Sequence, residues 1–283
     1  MKVEASYAEE DEVRKRKGER AEGKRNGERL LQKQACGRRT RRRVQPPSTV
    51  IQRLFLACKT VFKGGPGTVP EPKDVEMLQL LLDKMRPEDV GLSTDTLLKL
   101  KGPSKGTPRI TYAVIYKCDN FSICIFILPP RAVIPLHNHP GMTVFSKLLL
   151  GSMHIKSYDW LDPDASDNFT SSSKMRPAKV VVDSDFTSPC DTSILYPTTG
   201  GNMHTFTAIT TCAVIDVQGP PYSKEEDRDI TYYRDHPYWK YPNGVPAGNG
   251  VMDDSLGWLE VVDIAEDLKM DGVQYLGPQV IDV

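Results

Sequence analysis

PLHNHPGMTVFSKLLLG, residues 135–151, carries two of the chain's five histidines with a single residue between them. In a strand the side chains at i and i+2 leave the same face, so His137 and His139 can direct two imidazoles at one metal ion. Pro135 and Pro140 bracket the pair, and the same residues also fit a solvated loop with two unrelated histidines. The surroundings favour the strand. From about Thr111 onward, ITYAVIY, FSICIFIL, TVFSKLLL, SMHIKSYDW, AKVVVD, TSILYP, HTFTAIT and CAVIDVQ follow one another, separated by turn-forming residues. Many short β-rich runs with Gly/Pro punctuation and no intervening helix predict a mainly β sandwich or barrel. The polar run DPDASDNFTSSSK reads as a loop over it.

Upstream the pattern is helical. PPSTVIQRLFLACKTVFKGG offers a Ser/Thr N-cap, then Ile51, Leu54, Phe55, Cys58, Val61 and Phe62 at helical spacing, and ends at Gly64-Gly65. KDVEMLQLLLDKM, stopped by Pro87, predicts a second helix. Both carry apolar faces suited to docking on a larger body. The formal net charge of zero averages two unlike parts. Residues 1–50 hold 15 Lys/Arg against 8 Asp/Glu, and the remainder holds 22 Lys/Arg against 29 Asp/Glu. We expect residues 1–45 to be a disordered basic arm, with Arg38–Arg43 a candidate nuclear-localisation run, and one ordered domain over 46–283 with a helical part at 46–100.

The six cysteines form no CxxC pair; Cys118 and Cys124 lie in strand-like sequence, where a free thiol acts as a small apolar group. With neither a signal-peptide run nor a stretch of roughly 18 apolar residues, the expected setting is a reducing intracellular compartment without membrane contact. No internal repeat is visible.

The third histidine of interest is His204, which opens HTFTAITT after the Gly-rich PTTGGNM, 65 residues beyond His139. In a closed β domain that strand can face the first pair. The order resembles the cupins, in which a first motif supplies two histidines and often a glutamate, and a second motif supplies another histidine. Gly151 stands where the first motif's closing glycine belongs, but Val144 occupies the expected glutamate position. The second motif is looser, with Gly201 three residues before His204. Three neutral imidazoles leave a divalent ion its full charge, unlike the two-histidine, one-carboxylate triad of many non-haem iron oxygenases. Such a centre favours an anionic soft donor from the substrate, a thiolate among them, and lowers that thiol's pKa. His154 alternates along GSMHIKSY and reads as the polar face of a strand, while His236 in RDHPYW reads as a packed surface or loop residue.

Four separated segments then become recognisable: PRAVIPLHNHPGMTVFSKLLLGSMHIKSYDW, GGNMHTFTA, VIDVQGPPYS and TYYRDHPYWKYP. Over roughly residues 45–283 the chain resembles the plant cysteine oxidases, which belong with cysteamine dioxygenase in the thiol dioxygenase branch of the cupins. The resemblance implies a cupin-type double-stranded β-helix (a jelly-roll barrel) with the N-terminal helices packed outside, and an Fe²⁺ centre on His137, His139 and His204. It further implies roles for Asp216 and Tyr222, at the end of CAVIDVQGPPY. Physical chemistry agrees: a carboxylate can receive a substrate α-ammonium, and a phenol beside iron can donate a hydrogen bond or proton to oxygen. The mammalian relative's cysteine–tyrosine crosslink is not expected at position 220, which is Pro here.

The implied activity is dioxygenation, with O₂, of the N-terminal cysteine of a protein to a sulfinic acid. The implied substrates are proteins such as group VII ethylene response factors, marked in this way for the N-degron route in hypoxia sensing. We expect a monomer in nucleus and cytoplasm with no direct nucleic-acid contact. Two other classes fit some of the same residues. A non-catalytic cupin could bind through its barrel while the basic arm contacts nucleic acid. A three-histidine zinc hydrolase is the other, although no general base stands beside the His pair.

Overall fold

The structure, a computed structural model, describes residues 49–93, 109–163, 175–238, 255–263 and 270–282. The basic arm and most of the polar run after Asp162 therefore lie outside the described residues. Helix α1 spans Val50–Val61 and α2 spans Pro72–Asp83, followed by a 3₁₀ turn over Pro87–Val90. Thr49 caps α1 by accepting the Gln52 amide N–H at 3.2 Å. Pro72 opens α2, where its missing N–H costs nothing. Each helix buries one stripe: Ile51, Leu54, Phe55, Cys58 and Val61 on α1, and Val75, Leu78 and Leu82 on α2.

Among the described residues, twelve strands follow. The first sheet runs β12 (Met270–Gly272), β1 (Ile110–Lys117), β2 (Ser122–Leu128), β9 (Cys212–Gly219), β4 (Thr143–Leu150) and β7 (Ser193–Leu195). The second runs β10 (Tyr232–Pro237), β11 (Leu256–Val262), β6 (Met175–Thr187), β5 (Ser152–Trp160), β8 (Met203–Ala208) and β3 (Val133–Asn138), and closes on itself. That closure is thin: β10 meets β3 at one register pair, Tyr232 opposite His137. The mainly β, jelly-roll expectation holds, with the helices outside.

One face of the first sheet is covered by the helices. Ile123, Ile125, Phe145, Ile215 and Val217 pack with the buried stripes of α1 and α2. Its other face looks toward the second sheet, where Leu128, Leu148, Cys212 and Val214 meet Ile134, Met153 and Phe206. Strands covered on both faces cannot alternate polar and apolar residues, which explains why all eight residues of β9 are buried. Alternation along β9 places Asp216 on the inward face with Cys212 and Val214. α2 is also tied to the segment before β7. Asp83 accepts hydrogen bonds from the Thr192 amide (2.8 Å) and hydroxyl (2.6 Å), and the buried Lys147 ammonium lies 3.7 Å from it.

Some details differ from the sequence reading. Cys118 lies in the turn between β1 and β2 rather than in a strand, its thiol donating to the Phe121 carbonyl at 3.6 Å. β9 ends at Gly219, so Tyr222 stands beyond the strand. Pro220 and Pro221 follow, and with no N–H to donate they end the ladder. The Phe62 ring covers Gly219 so closely that an added Cβ would lie 2.0 Å from Cδ1.

Candidate metal centre

β3 and β8 are antiparallel neighbours, and their register sets His137 directly opposite His204. His139 follows one residue after the end of β3, so the HxH pair straddles a strand end rather than lying wholly in a strand. All three are buried, and their candidate ligand nitrogens lie within 4.8 Å of one another. Among the described residues this is the one group of His, Cys, Asp or Glu so disposed.

The hydrogen bonds fix which nitrogen faces inward. His137 Nδ1 lies 2.8 Å from the Pro135 carbonyl, which can only accept, so Nδ1 carries the proton and Nε2 keeps its lone pair. Tyr222 donates its hydroxyl proton to the Asn138 carbonyl at 2.7 Å, and its oxygen accepts from His139 Nδ1 at 2.9 Å. His139 is therefore in the same tautomer. Its Nε2 faces His204 Nε2 at 3.0 Å. Two lone pairs that close repel unless a cation or a proton lies between them. Imidazole nitrogens bound at right angles, about 2.1 Å from one ion, stand about 3.0 Å apart, so the donor set fits a divalent metal.

Burial disfavours the imidazolium form throughout. It pushes His137 down to about 4 and holds His139 and His204 well below their ordinary value, with repulsion from the neighbouring imidazoles adding to the effect. Protons therefore compete little with a metal near neutral pH.

Asp216 is buried on the inward face of β9, opposite Cys124 on one side and Ser146 on the other. Burial raises its pKa to about 7, opposed by a hydrogen bond from Ser146, and its Oδ1 has no hydrogen-bond partner. The carboxylate is close enough to Tyr222 to help raise the phenol's pKa, after burial and Tyr232. Tyr222 is thus hydrogen-bonded to His139 and within electrostatic reach of Asp216. Val144, at the position of the absent glutamate, is fully buried with Met142 and Leu195, and Tyr222 packs on them. That wall is apolar.

The remaining histidines sit apart. His154 lies on β5 with its Nδ1 2.7 Å from Asp185 and its Nε2 2.9 Å from Asp183. His236 belongs to β10, a strand and not a loop, and pairs with Glu260 at 2.8 Å. Sequence reasoning passed over Asn138 and Asn202, whose amides brace the ligand segments. The only signal was an Asn two residues before His204 in GGNMH, a turn residue by ordinary reading.

Comparison with known proteins agrees with this geometry. The family model PCO_ADO matches residues 81–280. Plant cysteine oxidase 2 of Arabidopsis thaliana is 52% identical over 233 residues, covering 81% of this chain and 83% of that one. Plant cysteine oxidase 1 of the same plant is 49% identical over 255 residues, with 86% and 85% covered. The 2-aminoethanethiol dioxygenase of Mus musculus is 29% identical, with 83% and 97% covered. The chain belongs to the PCO_ADO family.

Proposed function

We propose that this member of the PCO_ADO family is a thiol dioxygenase that oxidises the N-terminal cysteine of target proteins to cysteine sulfinic acid. The observation that carries the reading is the convergence of three neutral imidazoles, His137, His139 and His204, within 4.8 Å. In support, a buried aspartate with an unpartnered oxygen lies within electrostatic reach of Tyr222, which holds His139. The names of its plant relatives point to cysteine as the substrate class.

Fe²⁺ is the ion proposed, held by the three Nε2 atoms; when bound, it supplies activation of dioxygen and acidification of the thiol. The balance is simple: RSH and O₂ give RSO₂H, the sulfur loses four electrons, the two oxygen atoms take them, and no outside reductant is needed. Because the three imidazoles add no charge, the ion's positive charge favours thiolate over thiol. Asp216 receives the substrate's α-ammonium through its free oxygen, and the arriving cation favours the ionised carboxylate that burial alone disfavours. An internal cysteine has no ammonium to offer and is refused. Tyr222 holds His139 and closes the apolar wall with Val144 and Met142.

Proteins such as group VII ethylene response factors are the proposed partners, with the N-degron pathway and the hypoxia response as the setting. The run Arg38–Arg43 supports a nuclear as well as a cytoplasmic location, and we read the protein as a monomer that binds neither membrane nor nucleic acid directly. Among the described residues no helix is long and apolar enough to cross a membrane.

The test is mass spectrometry of a peptide beginning Cys-Gly-Gly after incubation with iron-loaded protein. A gain of two oxygen atoms is expected in air only, and not when the amine is acetylated or when His204 is replaced by alanine. No gain from folded, iron-loaded protein, or a zinc-supported hydrolysis that proceeds without oxygen, would overturn the reading.

A further inference from the structure

His139 is held unlike the other two histidines. β3 ends at Asn138, so the main chain of His139 has left the ladder that pairs His137 with His204. A side chain replaces the missing strand. Asn202 Oδ1 accepts the His139 amide N–H at 3.2 Å, and Asn202 Nδ2 donates to the His139 carbonyl at 2.9 Å. The same Nδ2 donates to the Tyr196 carbonyl at 2.8 Å. Asn202 is buried, and main-chain groups fill both of its donors and one of its acceptor positions. No other side chain of that length presents a donor and an acceptor side by side.

The clamp is itself anchored. Asp159, on β5, accepts from the amide N–H groups of Gly201 (2.9 Å) and Asn202 (3.0 Å) through one oxygen. Gly201 has φ +82, and a Cβ there would lie 2.4 Å from Ser157 Oγ, so the turn admits only glycine. Two residues after Asn202 comes His204, itself opposite Ser157 on β5. Asn202 therefore joins the segment that carries one ligand to the segment that carries another, and β5 fixes its place.

We propose that Asn202 is a positioning residue for the metal centre: its carboxamide, bonded to both main-chain groups of His139 and two residues from His204, sets the separation of those two imidazoles. The proposal rests on the metal reading of the three histidines. It does not depend on which metal is resident, nor on the substrate. Without the carboxamide, the His139 N–H loses its partner and its C=O keeps only the Met142 amide at 3.2 Å. Tyr222 still holds the ring, but the main chain bearing it can shift by the fraction of an ångström that a coordination sphere does not tolerate.

The experiment uses Co²⁺ as a probe of the full-length apoprotein, with chelator competition for affinity and the visible ligand-field bands for geometry. The variants are N202A, N202D and, as a control, T192V, which removes the part-buried hydroxyl bond from Thr192 to Asp83 between the segment before β7 and α2. N202D keeps the shape and the acceptor but turns the donor to an oxygen. The expected result is Co²⁺ affinity lower by about 10- to 100-fold in N202A and N202D, with shifted bands, while T192V binds as the wild type does. Comparable apoprotein melting temperatures in the three variants would separate positioning from general loosening. Wild-type affinity and bands in the Asn202 variants would overturn the proposal, as would failure of both to fold, which would assign Asn202 to the fold alone. Absence of Co²⁺ binding by the wild type would instead overturn the metal reading beneath it.

Discussion

The Tyr222 hydroxyl lies between two groups of the His139 segment, donating to the Asn138 carbonyl at 2.7 Å and accepting from His139 Nδ1 at 2.9 Å. The phenol thereby dictates which nitrogen of His139 keeps a lone pair. A reading in which it only donates to oxygen leaves this geometry unexplained.

Tyr222→Phe is expected to weaken metal binding by roughly 10-fold or more, because His139 is no longer held in one tautomer. It also removes a partner from the half-buried Asn138 carbonyl and from the His139 Nδ1–H, at a cost of about 1–3 kcal/mol. Chelator competition and thermal unfolding of the apoprotein measure the two effects. Unchanged metal affinity with reduced turnover would assign the phenol to proton donation alone.

Asp216→Asn separates substrate capture from stability. Burial raises this carboxyl to about 7, so between about pH 4 and pH 7 the folded protein holds a proton that the unfolded chain has released. Wild-type stability carries a penalty that grows as pH rises through that window and levels off above it, on the order of a few kcal/mol. The variant lacks the penalty, so its stability advantage should grow with pH and then stay flat. Denaturant titrations at several pH values check this. For turnover the expectation is a raised KM toward peptides with a free N-terminal amine and lost discrimination against acetylated ones.

His154 has the opposite linkage. Its hydrogen bond to Asp185, and a second to Asp183, favour the charged ring and raise its pKa above the ordinary value. The ion pairs stabilise the fold when the ring is protonated, below its unfolded pKa, and the contribution is lost as pH rises through the folded one. His154→Ala should lower the melting temperature modestly at mildly acidic pH and have no effect in alkali. Added salt should shrink the difference, since the groups are largely exposed.

Gly219→Ala tests how the helices seat on the β domain. The new methyl would meet the Phe62 ring at 2.0 Å, where neither helix nor strand can retreat without disturbing the other. We expect a loss of about 1–3 kcal/mol, part of which Phe62→Leu in the same chain restores. A destabilisation that Phe62→Leu leaves untouched would show that the clash is relieved elsewhere.

Periodicity made much of this legible. Alternating and continuous apolar runs mark the strands, and the stripe Ile51, Leu54, Phe55, Cys58 marks the face that α1 buries. The three histidines announced themselves by spacing and, for His137 and His204, by their place in strands that a closed sheet must bring together. Asn202 was invisible for a physical reason. Its work is done on the main chain of a residue 63 positions away, and a main-chain partner leaves no trace in residue type. The pairing of Tyr222 with His139 was hidden likewise, because the chain leaves β9 at Gly219 and returns over the site by a path that no short motif encodes. Of the two readings of His236 the packed surface residue holds and the loop does not, because Pro237 ends the strand rather than excluding it.

The ring of the second sheet is joined where β10 meets β3, and the single register pair there is Tyr232 with His137. Two further hydrogen bonds, Asn138 amide to Thr231 carbonyl (3.2 Å) and Thr231 amide to Asn138 Oδ1 (2.8 Å), complete the seam. An ion on His137, His139 and His204 would instead tie the end of β3 to β8, one strand away from this seam, because β10 contributes none of the three histidines. The seam therefore rests on its own few bonds, and the amides of β10 should exchange with solvent faster than those of β9, which is covered on both faces.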